Sequence, residues 1–458
     1  MEINIYNVRS EITKFPESPL KEKLLKAFVR KSQKTFWAAR QKSGWSGATH
    51  FISEKRGQFS TGLLPLILEW AKQYEVEVIL NDKRIKPIPQ GPNLTPDILK
   101  GVILRDYQIA AVEAAIKHER GLIKASTGSG KTIIAAAISK YYSLPTALLV
   151  DRVNLATQTR KRYIEYGFSD SDIGIVSDDF NEQKRLITIL TAQSGHKIDD
   201  LSYFQVAIGD ESHHNSSKTQ RDFLKSLPNA YYRFGLSGTP FNGDPVEDMY
   251  RIAQVGPIIY DIGTQELIAK DVLSKPTIRM IEINKPNVQF ISPYINQYKI
   301  GIAQNNYRNS IIAKFANGFR GKTLILFKTI EHGQLLLGKI PKAMYMDGKT
   351  PTKTRDLILD GFNRSTESIL IASQIVDEGI DFASIQHLIL AAGEKSIIKG
   401  IQRLGRGLRS GGEGDTVNVI DFMDRTSDTL EDHSKKRLKL YKSEGHTVKL
   451  FQLGEIDE

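Results

Sequence analysis

A run of small and polar residues, ASTGSGKT, occupies positions 125–132, between the apolar segment GLIK and the helix-like segment IIAAAISKYY. A loop between a buried strand and a helix can surround a phosphate group, because glycines let its backbone N–H groups turn inward. The lysine of such a loop lies beside the outer phosphates, and the hydroxyl that follows it binds Mg²⁺. The pattern predicts a nucleoside-triphosphate site made of Thr127, Gly128, Ser129, Gly130, Lys131 and Thr132.

Two adjacent carboxylates, Asp210 and Glu211, follow the apolar run VAIG and end a predicted strand. An acidic pair in this position is common as plain surface charge. Behind a phosphate loop it suits metal-assisted hydrolysis, in which Asp210 holds Mg²⁺ and Glu211 orients the attacking water. His213 and His214 have no suitably spaced third ligand and do not predict a metal site. We expect His213 to couple the nucleotide site to neighbouring loops.

Arginines recur at every third position in QRLGRGLRS (402–410), at Arg403, Arg406 and Arg409. This spacing aligns their side chains roughly along one face of a helix or turn. Guanidinium groups directed at a γ-phosphate stabilise the charge of the transition state. A basic helix that binds a phosphate backbone would carry the same residues, so the spacing alone leaves both roles open.

Short apolar runs separated by helix-like stretches must position these groups. They form two series, at 145–151, 185–191, 204–211 and 231–240, and at 322–327, 367–373, 386–392 and 416–421. Continuous Val, Ile and Leu segments of this kind predict parallel sheets that are covered on both faces. A Pro- and Asn-containing stretch near 274–293 separates the two series. We therefore predict an α/β fold with two similar domains in tandem.

The first 95 residues differ from the rest, since they carry all three tryptophans and end in a Pro-rich connector at 86–96. Between positions 21 and 56, ten Lys and Arg residues stand against two Glu, with Phe36, Trp37, Trp45 and Phe51 among them. Cations interleaved with aromatic rings suit phosphate binding and base stacking. The rings could equally form a small core beneath a basic surface. The predicted nucleic-acid contacts in this region are Lys31, Lys34 and Arg40.

The composition restricts the class of protein. The chain has 63 Lys and Arg against 52 Asp and Glu, a net charge of +11 that favours polyanionic partners. It has no cysteine, which excludes disulfides, thiolate zinc sites and cysteine nucleophiles. It also has no apolar run long enough to span a membrane and no apolar core of a signal peptide near its first residue. We expect a cytoplasmic protein.

Taken in order, several segments resemble the motifs of the superfamily 2 helicases and translocases. They are LRDYQ (104–108), the phosphate loop, DESH (210–213), SGTP (237–240), QIVDEGIDF (374–382) and QRLGRGLRS (402–410). The resemblance covers residues from about 100 to 425. It implies two RecA-like parallel-sheet domains, preceded by a small basic α+β domain. The predicted boundaries are 1–95, 96–265 and 266–425, with a charged C-terminal tail at 426–458. In this tail DHSKKRLKLY (432–441) predicts a charged helix and TVKLFQL (447–453) a short strand, and the basic residues of the helix, Arg437 among them, are expected on a solvated face or at DNA.

The same resemblance implies roles for individual residues. Arg105 and Gln108 would read adenine, so the expected nucleotide is ATP, with Mg²⁺. Ser237 and Thr239 would couple hydrolysis to domain motion. In the second domain, the resemblance implies nucleotide contacts for Gly379 and Asp381, and assigns Gln402, Arg406 and Arg409 to the catalytic motif that carries the arginine fingers. Residues expected to grip the sugar–phosphate backbone are Arg152, Thr191 and Gln193.

Length and motif variants make the chain most similar to the UvsW-type branched-DNA helicases of tailed bacteriophages, which act in recombination and repair. This resemblance implies double- and single-stranded DNA as partners, in an infected bacterial cytoplasm, and a monomer is compatible with it. Three alternatives stay open. They are an RNA helicase, a translocase on double-stranded DNA that does not separate strands, and a binding or annealing module without a working motor.

Overall fold

The computed structural model describes residues 1–32, 47–126, 128–151, 153–210, 217–241, 243–270, 272, 277–373, 385–393, 417–443 and 446–452. The chain divides into two compact units, Met1–Ile262 and Gly263–Glu458. Each unit has its own hydrophobic clusters. Among the helices of the described ranges, none is long and apolar enough to cross a membrane.

A small α+β region begins the first unit, as predicted. Its elements are β1 (Glu2–Ile5), β2 (Arg9–Lys14), α1 (Leu20–Ala27), β3 (Val29–Lys31), β4 (Ala48–His50), β5 (Gln58–Ser60), α2 (Leu64–Gln73) and β6 (Ile79–Asp82). The main sheet has the order β5-β2-β1-β6, in which only the β1–β6 pair is parallel. Strands β3 and β4 form a separate antiparallel pair.

The second sheet of this unit consists of seven parallel strands. They are β7 (Arg120–Ala125), β8 (Thr146–Leu149), β9 (Ile173–Val176), β10 (Ile187–Leu190), β11 (Val206–Asp210), β12 (Tyr232–Ser237) and β13 (Ile258–Ile262). Their order is β13-β7-β12-β11-β8-β10-β9. The helices are α3 (Asp106–His118), α4 (Lys131–Tyr142), α5 (Val153–Glu165), α6 (Ser217–Lys225) and α7 (Pro245–Val255). All four strands predicted from the first series of apolar runs are present.

The N-terminal region shares its core with helix α7. Val246, Met249 and Ala253 of this helix pack in the same cluster as Ile3, Ile5 and other residues of the small sheet. Gly62 lies so close to α7 that a Cβ there would stand 2.3 Å from the carbonyl oxygen of Ile252. The Pro-rich connector also lies against the seven-stranded sheet's elements, since Tyr232 Oη donates to the carbonyl of Pro87 at 2.7 Å. The small region is therefore packed on the domain that follows it.

The second unit contains another sheet of seven parallel strands. They are β14 (Thr277–Ile283), β15 (Lys322–Phe327), β16 (Met344–Met346), β17 (Ser368–Ser373), β18 (His387–Leu390), β19 (Asn418–Asp424) and β20 (Thr447–Phe451). Their order is β16-β17-β15-β18-β19-β14-β20. The helices are α8 (Thr264–Ala269), α9 (Tyr294–Tyr298), α10 (Asn306–Gly318), α11 (Ile330–Lys339), α12 (Thr352–Arg364) and α13 (Asp428–Ser443). The prediction of two parallel-sheet domains in tandem is confirmed.

Two features of the second unit differ from the sequence-based expectation. The stretch near 274–293 is not only a separator, because β14 lies within it and pairs with β19 along its whole length. The helix and short strand predicted in the charged tail are present as α13 and β20, but β20 is part of the sheet, because it pairs with β14 at the edge. Arg437 of α13 is completely buried, so it lies neither on a solvated face nor at a DNA surface. The predicted domain boundaries themselves remain predictions.

A buried histidine in α11 gives the second unit a testable pH dependence. Burial, with a smaller contribution from the Arg308 charge, lowers the pKa of His332 to about 3. Its Nε2 lies 3.0 Å from Asn309 Oδ1, and its Nδ1 has no hydrogen-bond partner among the described residues. In the unfolded chain a histidine has a pKa of about 6.5. Between these two values only the unfolded state takes up the proton.

We therefore expect His332 to contribute stability above pH 6.5 that is lost as the pH falls toward 3. The contribution lost by pH 5 is about 2 kcal/mol, at about 1.4 kcal/mol per pKa unit. The test compares urea unfolding of the wild-type and His332→Gln proteins between pH 5 and 8. The variant should lose less stability on acidification than the wild type. Equal losses in the two proteins would contradict the prediction.

Candidate nucleotide and nucleic-acid site

The predicted nucleotide-binding residues of the first unit lie at the carboxyl ends of neighbouring strands in its seven-stranded sheet. The phosphate loop follows β7, Ser237 ends β12 and Asp210 ends β11, and these three strands are neighbours in this order. The ladder pairs Ser237 with Lys124 and Asp210 with Leu236, so the three strands end at the same level. Ligands of parallel sheets bind beyond the carboxyl ends of the strands. The topology thus places the Asp210 backbone two strands, about 10 Å, from β7.

Two glycines give the phosphate loop its shape. Gly128 has a φ of 87° and Gly130 a φ of 83°, both in the left-handed region that side chains disfavour. Ser129 N donates to Ser126 O at 3.1 Å, and Ile134 N donates to Gly130 O at 3.0 Å as α4 begins. The loop therefore turns tightly and leads directly into the N-terminus of a helix, where anions are stabilised. Thr127 lies outside the described residues.

Polar side chains of this loop are buried, as a desolvated phosphate site requires. Lys131 is 4% exposed, and its Nζ lies 3.4 Å from the carbonyl oxygen of Ala125. Ser129 is fully buried, and its hydroxyl has no hydrogen-bond partner among the described residues. Thr132, on the first turn of α4, is half-buried. An unsatisfied buried hydroxyl is costly unless a ligand or water meets it. The loop therefore fits a triphosphate and its Mg²⁺ ion.

Two residues of the motif LRDYQ, Tyr107 and Gln108, donate hydrogen bonds to the backbone of the phosphate loop. Gln108 Nε2 donates to Ser129 O at 3.0 Å, while Gln108 Oε1 accepts from Arg105 N at 3.0 Å. Tyr107 Oη donates to the same Ser129 carbonyl at 2.9 Å. Arg105 itself is exposed. The contact from Tyr107 was not expected from the sequence, although this residue stands inside the motif. Adenine recognition by Arg105 and Gln108 remains a prediction.

Ser237 and Thr239 form a turn at the end of β12. Ser237 is fully buried, and its hydroxyl accepts a hydrogen bond from Thr239 N at 3.2 Å. Five residues after Thr239, Asp244 caps helix α7 by accepting from Val246 N and Glu247 N at 3.0 and 3.2 Å. The coupling role of Ser237 and Thr239 remains a prediction, while their position beside the phosphate loop follows from the strand order.

The predicted nucleic-acid contacts of the first domain are only partly described. Thr191 follows β10 and is buried, and its hydroxyl is used locally, because it accepts from Ser194 N at 3.3 Å. Gln193 is exposed in the short helix that this bond begins, so its amide can reach solvent. Their contact with a sugar–phosphate backbone stays a prediction. Arg152 lies outside the described residues.

In the N-terminal basic region one predicted contact residue is exposed, and the residue that follows it is hydrogen-bonded to the N-cap of α7. Lys31 is exposed at the end of β3, and the next residue, Ser32, donates from its hydroxyl to Asp244 Oδ2 at 2.5 Å. Phe51 is buried against Tyr250 of α7, with ring centroids 4.9 Å apart, so it acts as a core residue. Lys34, Arg40, Phe36, Trp37 and Trp45 lie outside the described residues.

Several other predicted site residues also lie outside the part of the chain that the structure describes. In the first unit these are the side chain of Asp210 and the whole of Glu211 and His213; in the second, Gly379, Asp381, Gln402, Arg406 and Arg409. The second-unit residues follow the carboxyl ends of β17 and β18, which are joined through β15 in the sheet. Their roles remain those that the motif resemblance implies.

Comparison with known protein families agrees with this architecture. Residues 101–242 match the model described as the res subunit of type III restriction enzymes, and residues 306–411 match the helicase conserved C-terminal domain. Together the two models span more than half of the chain. The first match includes the phosphate loop and the acidic motif, and the second includes the predicted arginine fingers.

Two relatives are similar over most of their length. The chain is 26% identical to the DNA 3'-5' translocase XPB2 of Sulfurisphaera tokodaii over 382 residues, 73% of this chain and 84% of the relative. It is 27% identical to the ATP-dependent DNA helicase uvsW of Enterobacteria phage T4 over 343 residues, 69% of this chain and 68% of the relative.

A solved structure shows a similar fold. A fragment of a putative HsdR subunit of a type I restriction enzyme from Vibrio vulnificus matches with a TM-score of 0.57 and 19% identity, covering 76% of this chain and 68% of that one. At this identity the likeness concerns the fold alone. The two family models and the helicase-named relatives carry the functional assignment. The chain belongs to the superfamily 2 helicases, as an ATP-hydrolysing enzyme of the DNA helicase and translocase group.

Proposed function

We propose that this enzyme uses ATP hydrolysis to unwind branched DNA, such as replication forks and four-way junctions, and to drive branch migration. The observation that carries the proposal is the basic N-terminal region, which shares a hydrophobic core with α7 of the motor domain. A DNA-binding module built into the motor can hold a duplex arm while the motor moves on another strand. The similarity to the phage relative that is named an ATP-dependent DNA helicase supports DNA as the substrate.

The basic surface of this region is available for phosphate contact. Lys23, Lys26 and Lys31 are exposed on α1 and β3, and Lys55 and Arg56 are exposed in the turn before β5. One ion pair, between Lys26 and Glu22, joins atoms 3.9 Å apart and is largely exposed, so it neutralises little of this charge. Contacts of this kind fix a duplex without reading its sequence. That suits an enzyme that recognises branched shape.

In the proposed mechanism the phosphate loop binds ATP, with Lys131 beside the outer phosphates. Thr132 and Asp210 would hold Mg²⁺, which would supply neutralising charge at the phosphates, and Glu211 would orient the attacking water. Gln402, Arg406 and Arg409 act from the second domain on the transferred phosphoryl group. Nucleotide binding and release then alternately favour a closed and an open arrangement of the two domains. Alternating contacts with the DNA backbone convert this cycle into directional movement.

The contacts of α6 and α7 support a connection between the N-terminal region and the acidic motif. Arg221 of α6 lies over the ring of Tyr250 at 4.1 Å and pairs with Glu247 at 3.3 Å. Phe51 of the N-terminal region packs against the same Tyr250 ring, with centroids 4.9 Å apart. Helix α6 starts six residues after Glu211. A DNA arm bound at the N-terminal region would therefore act on elements that continue directly from the catalytic motifs.

Strand separation on a matched set of substrates tests the proposal. The set contains a four-way junction, a fork, a simple tailed duplex and an RNA duplex of the same sequence. We expect ATP-dependent resolution of the junction and fork to be faster than that of the tailed duplex. Faster unwinding of the RNA duplex would favour an RNA helicase. Equal rates on branched and tailed DNA would overturn the proposed preference for branched substrates.

A translocase on double-stranded DNA is the second candidate function, because one relative is named a DNA translocase. Such an enzyme displaces a triplex-forming strand from a duplex without separating the duplex itself. ATP hydrolysis and triplex displacement, with no unwinding of any junction or fork, would favour this candidate. Binding or annealing without any ATP hydrolysis would instead indicate a module whose motor does not work.

Neutralising the N-terminal basic residues should weaken binding to junctions. We expect Lys31→Ala, Lys34→Ala and Arg40→Ala, combined in one protein, to lower the slope of log affinity against log salt by about 2 to 3, since each lost phosphate contact lowers it by about 0.9. The measurement is fluorescence anisotropy of a labelled junction between low and moderate salt.

A matched control removes three exposed positive charges elsewhere in the first unit. It carries alanine in place of three exposed residues of the domain that follows the N-terminal region, Lys100, Lys117 and Lys161. The control should keep the wild-type slope. The same loss in both proteins would mean that only the net charge matters, and no loss in either would mean that the N-terminal surface does not contact DNA.

A further inference from the structure

Three consecutive backbone carbonyls after β18 are held by side chains from three different helices. Arg308 Nη1 of α10 donates to Ala391 O at 2.7 Å, and Tyr298 Oη of α9 donates to Ala392 O at 2.9 Å. Arg437 Nη1 of α13 donates to Gly393 O at 2.8 Å. Ala391 and Ala392 are completely buried. We call Tyr298, Arg308 and Arg437 the exit clamp, because they hold the chain where it leaves the sheet.

Two buried aspartates orient the arginines of the exit clamp. Arg308 Nε donates to Asp424 Oδ1 at 2.8 Å, and Arg437 Nε donates to Asp421 Oδ2 at 2.8 Å. All four side chains have zero exposure. Both aspartates belong to β19, the neighbour of β18 in the sheet. Each guanidinium is therefore fixed at one end by a carboxylate of β19, and presents its other end to the chain that follows β18.

The exit clamp and its aspartates bury more charged groups than the stability of the fold requires. Removing four charged groups from water carries a large desolvation cost, and buried ion pairs often stabilise a fold no better than well-packed apolar residues of similar size. What such pairs supply is a fixed geometry, because each guanidinium has planar, directional donors. Here one Nη1 donor of each arginine points at a carbonyl of the same segment, Ala391 O or Gly393 O, while Arg437 Nη2 donates to Phe422 O of β19. The geometry thus specifies the path of residues 391–393.

Gly393 shows how closely that path is defined. Its φ is 66°, and a Cβ at this position would lie 2.6 Å from Ile302 Cδ1 and 3.3 Å from Asp424 Oδ2. The backbone therefore passes directly against the buried carboxylate that orients Arg308. The chain turns at this glycine, and within the next sixteen residues it reaches Gln402, Arg406 and Arg409.

We propose that Tyr298, Arg308 and Arg437 are positioning residues for phosphoryl transfer, which act by fixing the root of the segment that carries the arginine fingers. The proposal rests on the finger roles of Arg406 and Arg409. An arginine that stabilises a transition state must be placed within a few tenths of an ångström, so a loosened root lowers the rate more than it lowers nucleotide binding. Loss of a residue that only fills the core would not lower the rate of hydrolysis more than it lowers nucleotide binding.

A pair of buried tyrosines, one in each unit, provides a conservative test. Tyr298→Phe removes the hydroxyl that holds Ala392 O and keeps the ring in place. Tyr142→Phe is the matched control, because Tyr142 is equally buried and its hydroxyl donates to Ala115 O at 3.3 Å rather than to the exit clamp or its aspartates. Each variant thus loses a buried hydrogen bond of its hydroxyl, and only Tyr298→Phe loses a bond to residues 391–393.

The measurements are kcat and KM for ATP with junction DNA present, the affinities for ADP and for ADP with aluminium fluoride, and the melting temperature. For Tyr298→Phe we expect kcat to fall about fivefold or more and binding of ADP with aluminium fluoride to weaken to a similar extent. KM and ADP affinity should stay within about twofold of the wild type. Tyr142→Phe should keep the wild-type kcat, even where its melting temperature falls as much as that of Tyr298→Phe.

Two outcomes would overturn the proposal. One is an unchanged kcat in Tyr298→Phe, and the other is an equal fall of kcat in both tyrosine variants, which would indicate a purely structural role. Arg406→Ala and Arg409→Ala, measured alongside, separate this proposal from the assignment on which it rests. If both arginine variants hydrolyse ATP at the wild-type rate, the finger assignment is wrong. If either one loses hydrolysis while Tyr298→Phe does not, the exit clamp alone is refuted.

Discussion

Replacing Lys131 with alanine is expected to lower kcat for ATP hydrolysis about 100- to 1000-fold and to leave DNA binding largely intact. Removal of a single preorganised group that stabilises transition-state charge has an effect of this size. Lys131 is 4% exposed, and its ammonium lies 3.4 Å from the Ala125 carbonyl, within the turn that the phosphate loop makes. In such a desolvated place its charge interacts strongly with phosphate oxygens. The predicted DNA contacts are elsewhere on the chain.

Lys124→Ala is the matched control for this experiment. Lys124 belongs to β7, one residue before the loop motif, and its ammonium pairs with Asp261 at 2.9 Å near the surface. The control loses one positive charge from the same part of the sheet, and we expect it to hydrolyse ATP normally. DNA-stimulated phosphate release and junction anisotropy measure the two properties separately. Hydrolysis retained in Lys131→Ala would show that residues 125–132 are not the phosphate loop.

Much of the fold could be predicted because parallel strands that are buried on both faces have continuous apolar sequences. LILF (324–327) and ILIA (369–372) are examples, and both are central strands of the second sheet. Strand β14 was missed because its sequence, TIRMIEI, alternates polar and apolar residues, and Pro276 and Pro286 stand on either side of it. The alternation has a structural reason, since β14 pairs with the short strand β20 at the edge and keeps partly exposed positions.

The burial of Arg437 could not be predicted from its neighbours in sequence. DHSKKRLKLY contains several cations, and a charge run usually marks a solvated helix face. In the structure Leu430, Ser434, Arg437 and Tyr441 are all buried. Their spacing of four, three and four residues places them on one face of α13. The helical period was present in the sequence, but a charged residue on an inward face is identified only when its partner, here Asp421, is known.

In the candidate nucleotide site, too, some features could be predicted from the sequence and others could not. Glycines, Lys131 and Thr132 are recognisable because a phosphate loop requires these residue types at fixed spacing. The sequence motif could not reveal that Tyr107 and Gln108 both bind the Ser129 carbonyl, because that contact joins residues about twenty positions apart. Likewise, the hydroxyl of Thr191 begins a short helix, a role that a sequence motif for backbone contact does not contain. Tertiary hydrogen bonds of this kind depend on how the elements pack.

Gly130→Ala should weaken ATP binding at least about 30-fold, because it disturbs the backbone of the phosphate loop and the contact of the loop with Gln108. Gly130 has a φ of 83°, where an alanine costs about 1 to 2 kcal/mol. The new Cβ would also stand 2.5 Å from Gln108 Nε2, which displaces the amide and breaks its hydrogen bond to Ser129 O, a further loss of about 1 kcal/mol. The total of about 2 kcal/mol or more favours other loop conformations, and ATP binding must reverse that change. Titration with a fluorescent ATP analogue measures the affinity.

Two further variants separate the backbone effect from the contact. Gly243 has a φ of 82°, and a Cβ there would meet nothing within 4 Å, so Gly243→Ala introduces a similar backbone strain without a collision. We expect it to bind ATP as the wild type does. Gln108→Ala alone breaks the hydrogen bond to Ser129 O without the backbone strain. Because Gly130→Ala already displaces that amide, the two changes together should weaken ATP binding by less than the sum of their separate effects. If Gly130→Ala binds ATP normally, the loop does not hold the phosphates in the conformation seen here; if the two losses add fully in the double variant, the backbone strain at position 130 accounts for the whole effect of Gly130→Ala and the contact with Gln108 for none of it.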